Sequence, residues 1–201
     1  MYRGSRPRIF PIIIVIIIVA LVVATLVTVG RMLFNNSSST DDKKATSSST
    51  LEHALLNEDT DRSVRWTVRG PIVSNEKFRS YQITIGPSER TYVTYSGYLD
   101  TVIDTKTYDN NSQAYEQFVY ALDKTGISKT RKVPDTDLRG VCATQGLAYK
   151  FETLAGDDAD HNVWSSTCKD SPGTMTASAL QVQALFVNQI LDFKPLFNKI
   201  Y

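Results

Sequence analysis

The sequence predicts an α+β protein in which an N-terminal transmembrane helix precedes one domain of antiparallel strands with two main helices. An unbroken apolar run near the N-terminus predicts the membrane helix. Segments with alternating apolar residues lie before and after a segment with helical spacing, an order typical of an antiparallel sheet with helices on one face. The predicted regions are a cytoplasmic segment at 1–8, a transmembrane signal anchor at 9–33, a Ser/Thr-rich tether at 34–61 and an extracytoplasmic domain at 62–201.

The membrane prediction depends on residues 9–29, where 21 consecutive residues carry no charge and 16 are Ile, Val, Leu or Phe. A helix of this length spans roughly 30 Å, the thickness of the hydrocarbon core of a bilayer. Buried strands and core helices are rarely so long. A cleaved signal peptide usually has a shorter apolar core and a small-x-small site after it, and no such site follows Val29. We therefore expect an uncleaved anchor that contacts the lipid bilayer through residues 9–33.

Charged residues beside the apolar run predict its orientation. Arg3, Arg6 and Arg8 precede it, whereas only Arg31 follows it closely. Positively charged flanks tend to remain in the cytoplasm. We therefore expect a single-pass protein of the cell membrane, with its N-terminus cytoplasmic and its C-terminal domain extracytoplasmic.

The Arg-rich start and the Ile/Val-rich anchor resemble those of uncharacterised single-pass, signal-anchored extracytoplasmic proteins of ultra-small, host-attached bacteria. This resemblance covers about the first 35 residues and implies no activity. The basic start, the long apolar segment and the late cysteine pair are also similar to those of type IV pilins. However, no Gly-Phe processing site precedes the apolar run, and no Glu lies near its start.

Residues 35–50 contain nine Ser or Thr and a single apolar residue, Ala45. Such a segment cannot bury enough apolar surface to offset its chain entropy, which predicts a flexible tether. A short helix is expected within residues 51–61, with Leu51 and Leu55 on one side. Three Asn-x-Ser sequences, which begin at Asn35, Asn36 and Asn110, match the N-glycosylation acceptor pattern. They are either glycosylation sites or chance matches in segments rich in Asn and Ser.

Alternating apolar residues predict the strands of the domain. Val64, Trp66 and Val68 alternate with polar residues, as in a strand with one buried face. Further strands are predicted at 81–85, 91–95, 147–151 and 163–168, with a hairpin across 87–89.

Two segments have helical periodicity. Tyr115, Phe118, Val119 and Leu122 form one apolar stripe, and Gly126 ends the predicted helix. The second helix is predicted within residues 176–191. Its expected core side contains Leu180, Ala184, Val187 and Leu191. A second apolar side, which is either buried as well or in contact with a partner or the bilayer, contains Val182, Leu185, Phe186 and Ile190.

The two cysteines, Cys142 and Cys168, predict a disulfide bond. Oxidation is the default for a cysteine pair in a domain outside the cytoplasm. The alternative is a catalytic Cys142 thiolate with His161 as its base, for which no sequence motif is present.

An acidic segment predicts a solvated hairpin turn and offers weak candidate ligands for calcium. Asp158, Asp160 and Asn162 have the alternating oxygen ligands that begin a calcium-binding loop. The pattern then breaks, because Val163 replaces the required Gly and Lys169 stands where the bidentate Glu belongs. We therefore expect no bound metal and no cofactor.

Tyrosines are concentrated in one part of the domain and predict a contact surface. Each ring combines a large area with one polar tip, which suits the binding of a protein or a glycan. The alternative is cross-strand packing with about half of the rings turned inward. The candidate contact residues are Tyr92, Tyr95, Tyr98 and Trp164.

Composition and motifs exclude several classes of function. The chain has 22 basic and 21 acidic residues, which argues against a nucleic-acid partner. Gly-x-Ser-x-Gly, His-Glu-x-x-His and glycine-rich phosphate loops are missing, and no catalytic residue is predicted. We expect a binding or envelope-complex protein. The alternatives are an envelope hydrolase that uses unidentified Asp or Tyr residues, and a minor pilin-like surface subunit.

Overall fold

The computed structural model describes residues 46–57, 59–143 and 145–198. The chain divides into units 1–43 and 44–201, and every described residue belongs to the second. The predicted anchor at 9–33 and the first part of the predicted tether lie outside the described residues. Within the described ranges, no helix is long and apolar enough to cross a membrane.

Four helices and six strands form in the described part of the chain, which confirms the α+β class. The helices are α1 (Thr46–Leu55), α2 (Ser112–Lys124), α3 (Ala179–Val187) and α4 (Phe193–Phe197). The strands are β1 (Arg62–Arg69), β2 (Arg79–Ile85), β3 (Glu89–Ser96), β4 (Thr101–Asp109), β5 (Ala148–Ala155) and β6 (Asp158–Ser166).

The strands form one sheet in the order β4-β3-β2-β1-β5-β6, and every neighbouring pair is antiparallel. Strands β1 to β4 follow one another as a meander. The chain then returns past α2 and adds the β5–β6 hairpin on the other side of β1. As a result β1, the first of the described strands, lies inside the sheet with a hydrogen-bonded neighbour on each side.

One face of the sheet forms the core together with the helices. Val64, Trp66 and Val68 are buried on this face, as their alternation predicts. The ring of Trp66 stacks on Tyr149 of β5 at 5.6 Å and on Phe186 of α3 at 5.8 Å between centroids. The opposite face carries mainly polar side chains.

Helix α2 has the predicted buried stripe, and its start is fixed by a side-chain cap. The side chain of Asn111 accepts a hydrogen bond from the backbone N–H of Ala114, which satisfies one of the free donors of the first turn. The preceding Asn110 is half-buried, and its amide donates to the Gly86 carbonyl at 2.7 Å. This engagement argues against glycosylation of Asn110 in the folded domain.

Helix α3 is shorter than predicted, and the predicted inward side is wrong. Val182 and Phe186 are buried, whereas Leu180 is 69% exposed and Leu191, beyond the end of the helix, is 77% exposed. The two sides are similarly apolar, so hydrophobicity alone does not fix the rotation of the helix. The contacts of Phe186 with aromatic rings of the sheet and of α2 decide it.

Helix α1, strand β4 and helix α4 also differ from the sequence-based expectation. Helix α1 begins at Thr46, inside the predicted tether, and it buries Leu51 and Leu55 in the core. Strand β4 was not predicted, because it is an edge strand exposed on both faces and therefore lacks alternation. The short helix α4 was also not predicted, and it buries Leu196.

Replacing Phe186 tests the observed rotation of α3. We expect Phe186→Ala to lower the free energy of unfolding by about 3–5 kcal/mol, because it leaves a cavity among several rings. Leu180→Ala on the same helix is the control and should change it by less than about 0.5 kcal/mol. Urea unfolding followed by tryptophan fluorescence measures both. A larger effect from Leu180→Ala would favour the predicted orientation over the observed one.

Candidate functional site

Several loops meet at one end of the sheet, where β1 and β3 end and β2, β4 and β5 begin. They surround an open cavity of about 280 Å³, which we call the loop-end pocket. Its walls come from the β1–β2 loop, the β3–β4 turn and the segment before β5. The main lining side chains are Arg69, Ile72, Phe78, Tyr98, Leu138 and Val141.

Two stacked aromatic rings form one wall of the loop-end pocket. The rings of Phe78 and Tyr98 lie 4.2 Å apart with a 20° angle between their planes. The Tyr98 hydroxyl donates to the carbonyl of Val73 at 2.8 Å and accepts from its N–H at 3.0 Å. The guanidinium carbon of Arg69 lies 5.0 Å from the centroid of Phe78. These contacts hold Tyr98 in place while leaving part of its ring exposed.

The β3–β4 turn is fastened to the β1–β2 loop through Asn75. The Asn75 side-chain oxygen accepts from the N–H of Tyr98 at 3.0 Å, and the N–H of Gly97 donates to the Phe78 carbonyl at 3.0 Å. Gly97 has a φ of +70°, and a Cβ there would lie 2.8 Å from the Asn75 oxygen. Only glycine satisfies both the conformation and the close approach.

The predicted disulfide between Cys142 and Cys168 is confirmed, with a Cα–Cα distance of 5.4 Å. It fastens the third wall of the pocket, since the Cys142 carbonyl accepts from the N–H of Ile72 at 3.1 Å. The alternative of a Cys142 thiolate nucleophile is wrong for this structure, because its sulfur is bonded. The 26-residue separation corresponds to a stabilisation of about 3.5 kcal/mol on the chain-entropy model.

Exposed apolar side chains lie beside the pocket on and around the β3–β4 turn. Leu99 is 92% exposed at the tip of the turn, and Val102 and Ile103 are exposed at the start of β4. A register shift between β3 and β4 occurs at this point, which leaves Ile103 without a partner in the register. Together with Ile72 and Tyr98 these residues form the hairpin-tip patch. Clustered exposed apolar residues of this kind mark interaction surfaces.

The predicted contact residues do not share one surface. Tyr98 belongs to the hairpin-tip patch and Tyr95 lies on the polar face of the sheet, but Tyr92 and Trp164 are buried. Tyr92 points into the core, where its ring meets Phe193 at 5.6 Å. Trp164 is covered by a loop, and its indole N–H donates to the carbonyl of Thr136 at 3.0 Å. The prediction of an exposed contact role is therefore wrong for Tyr92 and Trp164.

Strand geometry explains the division among the tyrosines. Residues three apart in a strand point to opposite faces, so Tyr92 and Tyr95 cannot lie together. The Tyr95 hydroxyl donates to the side-chain oxygen of Gln82 at 3.0 Å. Burial raises the pKa of Tyr95, and the negative charge of Asp100 raises it further, against an opposing effect of Arg65. Tyr95 therefore remains a neutral hydrogen-bond donor.

A charged cluster occupies the middle of the polar face. Glu152 is buried between two cations: Arg65 Nε lies 2.8 Å from one carboxylate oxygen, and Lys150 Nζ lies 2.5 Å from the other. Burial by itself raises the pKa of Glu152, but hydrogen bonds and charge from Arg65 and Lys150 outweigh it and lower the pKa. The carboxylate stays ionised with both oxygens engaged, so the cluster joins β1 to β5 rather than offering a free base.

The acidic segment is a strand rather than a turn. Asp158, Asp160 and Asn162 all lie in β6, and the turn itself comprises Gly156 and Asp157. The two carboxylate oxygens of Asp160 are bound by Arg62 at 2.7 Å and by the Thr153 hydroxyl at 2.5 Å.

The contacts of Asp160 with Arg62 and Thr153 argue against a calcium site at the three candidate ligands. Burial alone raises the pKa of Asp160, but the hydrogen bonds from Thr153 and Arg62 outweigh it and lower the pKa. Because both oxygens of Asp160 are engaged, the three candidate ligands form no open oxygen cage. No group of three His, Cys, Asp or Glu side chains in the described ranges is placed to hold a metal ion.

Among the side chains that line the loop-end pocket, the sequence indicated a contact role for Tyr98 alone. Phe78 precedes β2 outside any alternating run, and Arg69 follows the alternation of β1 as an ordinary polar position. A weak signal was present in Gly97 and Asn75, which are typical turn residues. Their meeting across two loops depends on the strand order, which sequence periodicity does not contain.

Comparison of the chain with known protein families finds no family that matches, and no curated protein matches it either.

The lowered pKa of Glu152 predicts a pH-dependent stability. The folded state binds this proton more weakly than the unfolded state, whose ordinary pKa is 4.5. The stabilisation is therefore complete above that value and is lost as the pH falls through the lower, folded pKa. We expect Glu152→Gln to be less stable than the wild type at pH 7, with the difference shrinking between about pH 5 and pH 3.

Urea unfolding at a series of pH values measures this difference. Glu89→Gln is the control, because Glu89 is exposed and has no ion pair among the described residues. It should leave the pH dependence of the wild type unchanged. A difference between Glu152→Gln and the wild type that stays constant down to about pH 2 would contradict the interpretation.

Proposed function

We propose that this protein is a membrane-anchored extracytoplasmic binding or envelope-complex protein that contacts its partner through the hairpin-tip patch. The observation that carries the proposal is the patch itself. Leu99 is 92% exposed, next to Tyr98, whose ring is held by stacking and by two hydrogen bonds. Rigid aromatic anchors beside exposed apolar residues are typical of the centres of protein interfaces.

The contacts that hold the loops of the hairpin-tip patch in place favour a binding role. A surface that is ordered before association loses less conformational entropy when a partner binds. The Asn75 contacts fasten the β3–β4 turn, and the Cys142–Cys168 disulfide lies next to the β1–β2 loop. The apolar character of the patch favours a protein partner over a glycan, because exposed aliphatic side chains bury best against apolar groups and a glycan presents mainly hydroxyl groups.

The anchor and the disulfide together support an extracytoplasmic location. The uncharged run at 9–29 has the composition and length of a signal anchor. Disulfides persist in oxidising compartments and are rare in the cytoplasm. The single-pass topology, with a cytoplasmic N-terminus and an external domain, is consistent with both features.

The charged groups favour a binding role over a hydrolase. General acid–base catalysis requires a carboxyl group that can exchange protons near the working pH. Glu152 and Asp160 instead have lowered pKa values, and cations engage them. Their contacts stabilise the sheet.

Site-specific crosslinking tests the proposed contact surface. A photo-crosslinking amino acid placed at Leu99 of the full-length protein should form a discrete adduct with another protein in intact cells. The matched control is Leu191, which is 77% exposed at a different place in the domain. We expect no such adduct from Leu191, and Tyr98→Ala should weaken the adduct from Leu99. Equal adducts from both positions, or none from Leu99, would count against the patch.

Protease accessibility tests the topology. In intact cells without an outer membrane or wall barrier, an added protease should degrade the domain at 62–201 and spare a cytoplasmic marker protein. Alkylation of the denatured protein before reduction should modify neither Cys142 nor Cys168, because both are oxidised. A protected domain, or two alkylated cysteines, would overturn the proposed location.

A further inference from the structure

We infer that the loop-end pocket binds a carboxylate carried on a small apolar body, with Arg69 as the residue that receives the charge. The inference deepens the proposed function, since the pocket lies beside the hairpin-tip patch. It depends on three observations: the unmatched charge of Arg69, the apolar walls around it, and the size of the cavity.

Arg69 differs from every other arginine in the described part of the chain. Its guanidinium forms no hydrogen bond or ion pair with any described residue and lies only against the ring of Phe78, 5.0 Å from the centroid. The other six arginines donate to carboxylates or to backbone carbonyls: Arg62, Arg65, Arg79, Arg90, Arg131 and Arg139. Arg69 is also half-buried, so its donors are partly removed from water without a protein acceptor in return.

The charge balance of the pocket favours an anion. No acidic side chain is among the described residues that line it, whereas two arginines are, Arg69 and Arg139. Arg139 already has a protein acceptor at the surface, because its Nε donates to the Asp137 carboxylate at 2.8 Å. Arg69 is therefore the described lining arginine whose guanidinium lacks a protein acceptor. A guanidinium pairs best with a planar carboxylate, which can accept two parallel hydrogen bonds.

The other side chains that line the pocket indicate the chemistry of the ligand beyond its carboxylate. Ile72, Leu138 and Val141 supply apolar surface, and Tyr98 offers a partly exposed ring. A volume of about 280 Å³ is at the small end of ligand pockets and fits one amino-acid side chain or one small aromatic acid. Two sources supply this chemistry: a free apolar acid, and the C-terminal carboxylate of a polypeptide that ends in an apolar residue.

Matched acids and amides test the inference. The full-length protein is titrated with benzoate and benzamide, and with N-acetylphenylalanine and its amide, and binding is followed by saturation-transfer NMR. Each amide has nearly the shape of its acid but lacks the charge. If an acid binds, we expect its amide to bind at least about fivefold more weakly, because the amide cannot form the charge-assisted hydrogen bonds to Arg69. Binding of benzoate alone indicates a free acid, and tighter binding of N-acetylphenylalanine indicates a chain terminus.

Variants identify the residue responsible. Arg69→Gln should reduce acid binding to the level of the amide, and Arg69→Lys should give an intermediate affinity because it keeps the charge but not the paired donors. Lys124→Gln is the control for the loss of one positive charge and should change the affinity by less than about twofold, since Lys124 is exposed on α2 and does not line the pocket. Thermal unfolding of each variant verifies that it is folded.

The results separate this inference from the proposed function. Failure of both acids to bind, equal binding of acid and amide, or unchanged acid binding by Arg69→Gln would overturn the inference. If the adduct from Leu99 still forms in that case, the proposed contact surface stands without the carboxylate. Conversely, acid binding that requires Arg69, in a protein that gives no adduct from Leu99, would establish the pocket and remove the proposed interface.

Discussion

The stack of Trp66 against Tyr149 and Phe186 is the interaction on which the rest of the domain depends. Trp66 is fully buried in β1, the strand that joins the meander to the β5–β6 hairpin. Phe186 also meets Phe118 of α2 at 5.1 Å, so one ring fixes two helices on the same face of the sheet. The indole N–H of Trp66 has no hydrogen-bond partner among the described residues, a cost of about 1–3 kcal/mol that the aromatic packing must exceed.

Because helices cover one face of the sheet, the proposed contact surface must lie on the opposite face or at an end of the sheet. The opposite face keeps its polar side chains, and the Arg65–Glu152–Lys150 cluster uses the charges at its centre for internal contacts. Four of the exposed large apolar residues lie at the β3–β4 turn, where an edge strand begins, whereas Leu180 and Leu191 are exposed elsewhere. The proposed contact surface therefore lies at the end of the sheet, where the disulfide and the hydrogen bonds between loops support it.

The nearly balanced charge of the chain is reflected in the structure, where most of the described arginines form contacts within the domain. A net charge of +1 gives no strong field to attract a partner from a distance. Most of the described arginines are engaged within the domain, so the proposed recognition depends on shape, apolar contact and the guanidinium of Arg69. Arg69 has this property because of its position, at the end of β1 where the sheet gives way to loops.

Local patterns in the sequence determined the fold class, the buried stripes of β1 and α2 and the cysteine pair, because the period of a strand or helix maps directly onto one face. The burial of α1 was partly visible in Leu51 and Leu55. Tertiary structure alone decided the rotation of α3, because both of its sides are apolar, and the existence of β4, because neither of its faces is buried. It also decided which tyrosines are exposed and that Arg69 is unpaired. Those properties depend on neighbours distant in the chain, and a local period carries no information about such neighbours.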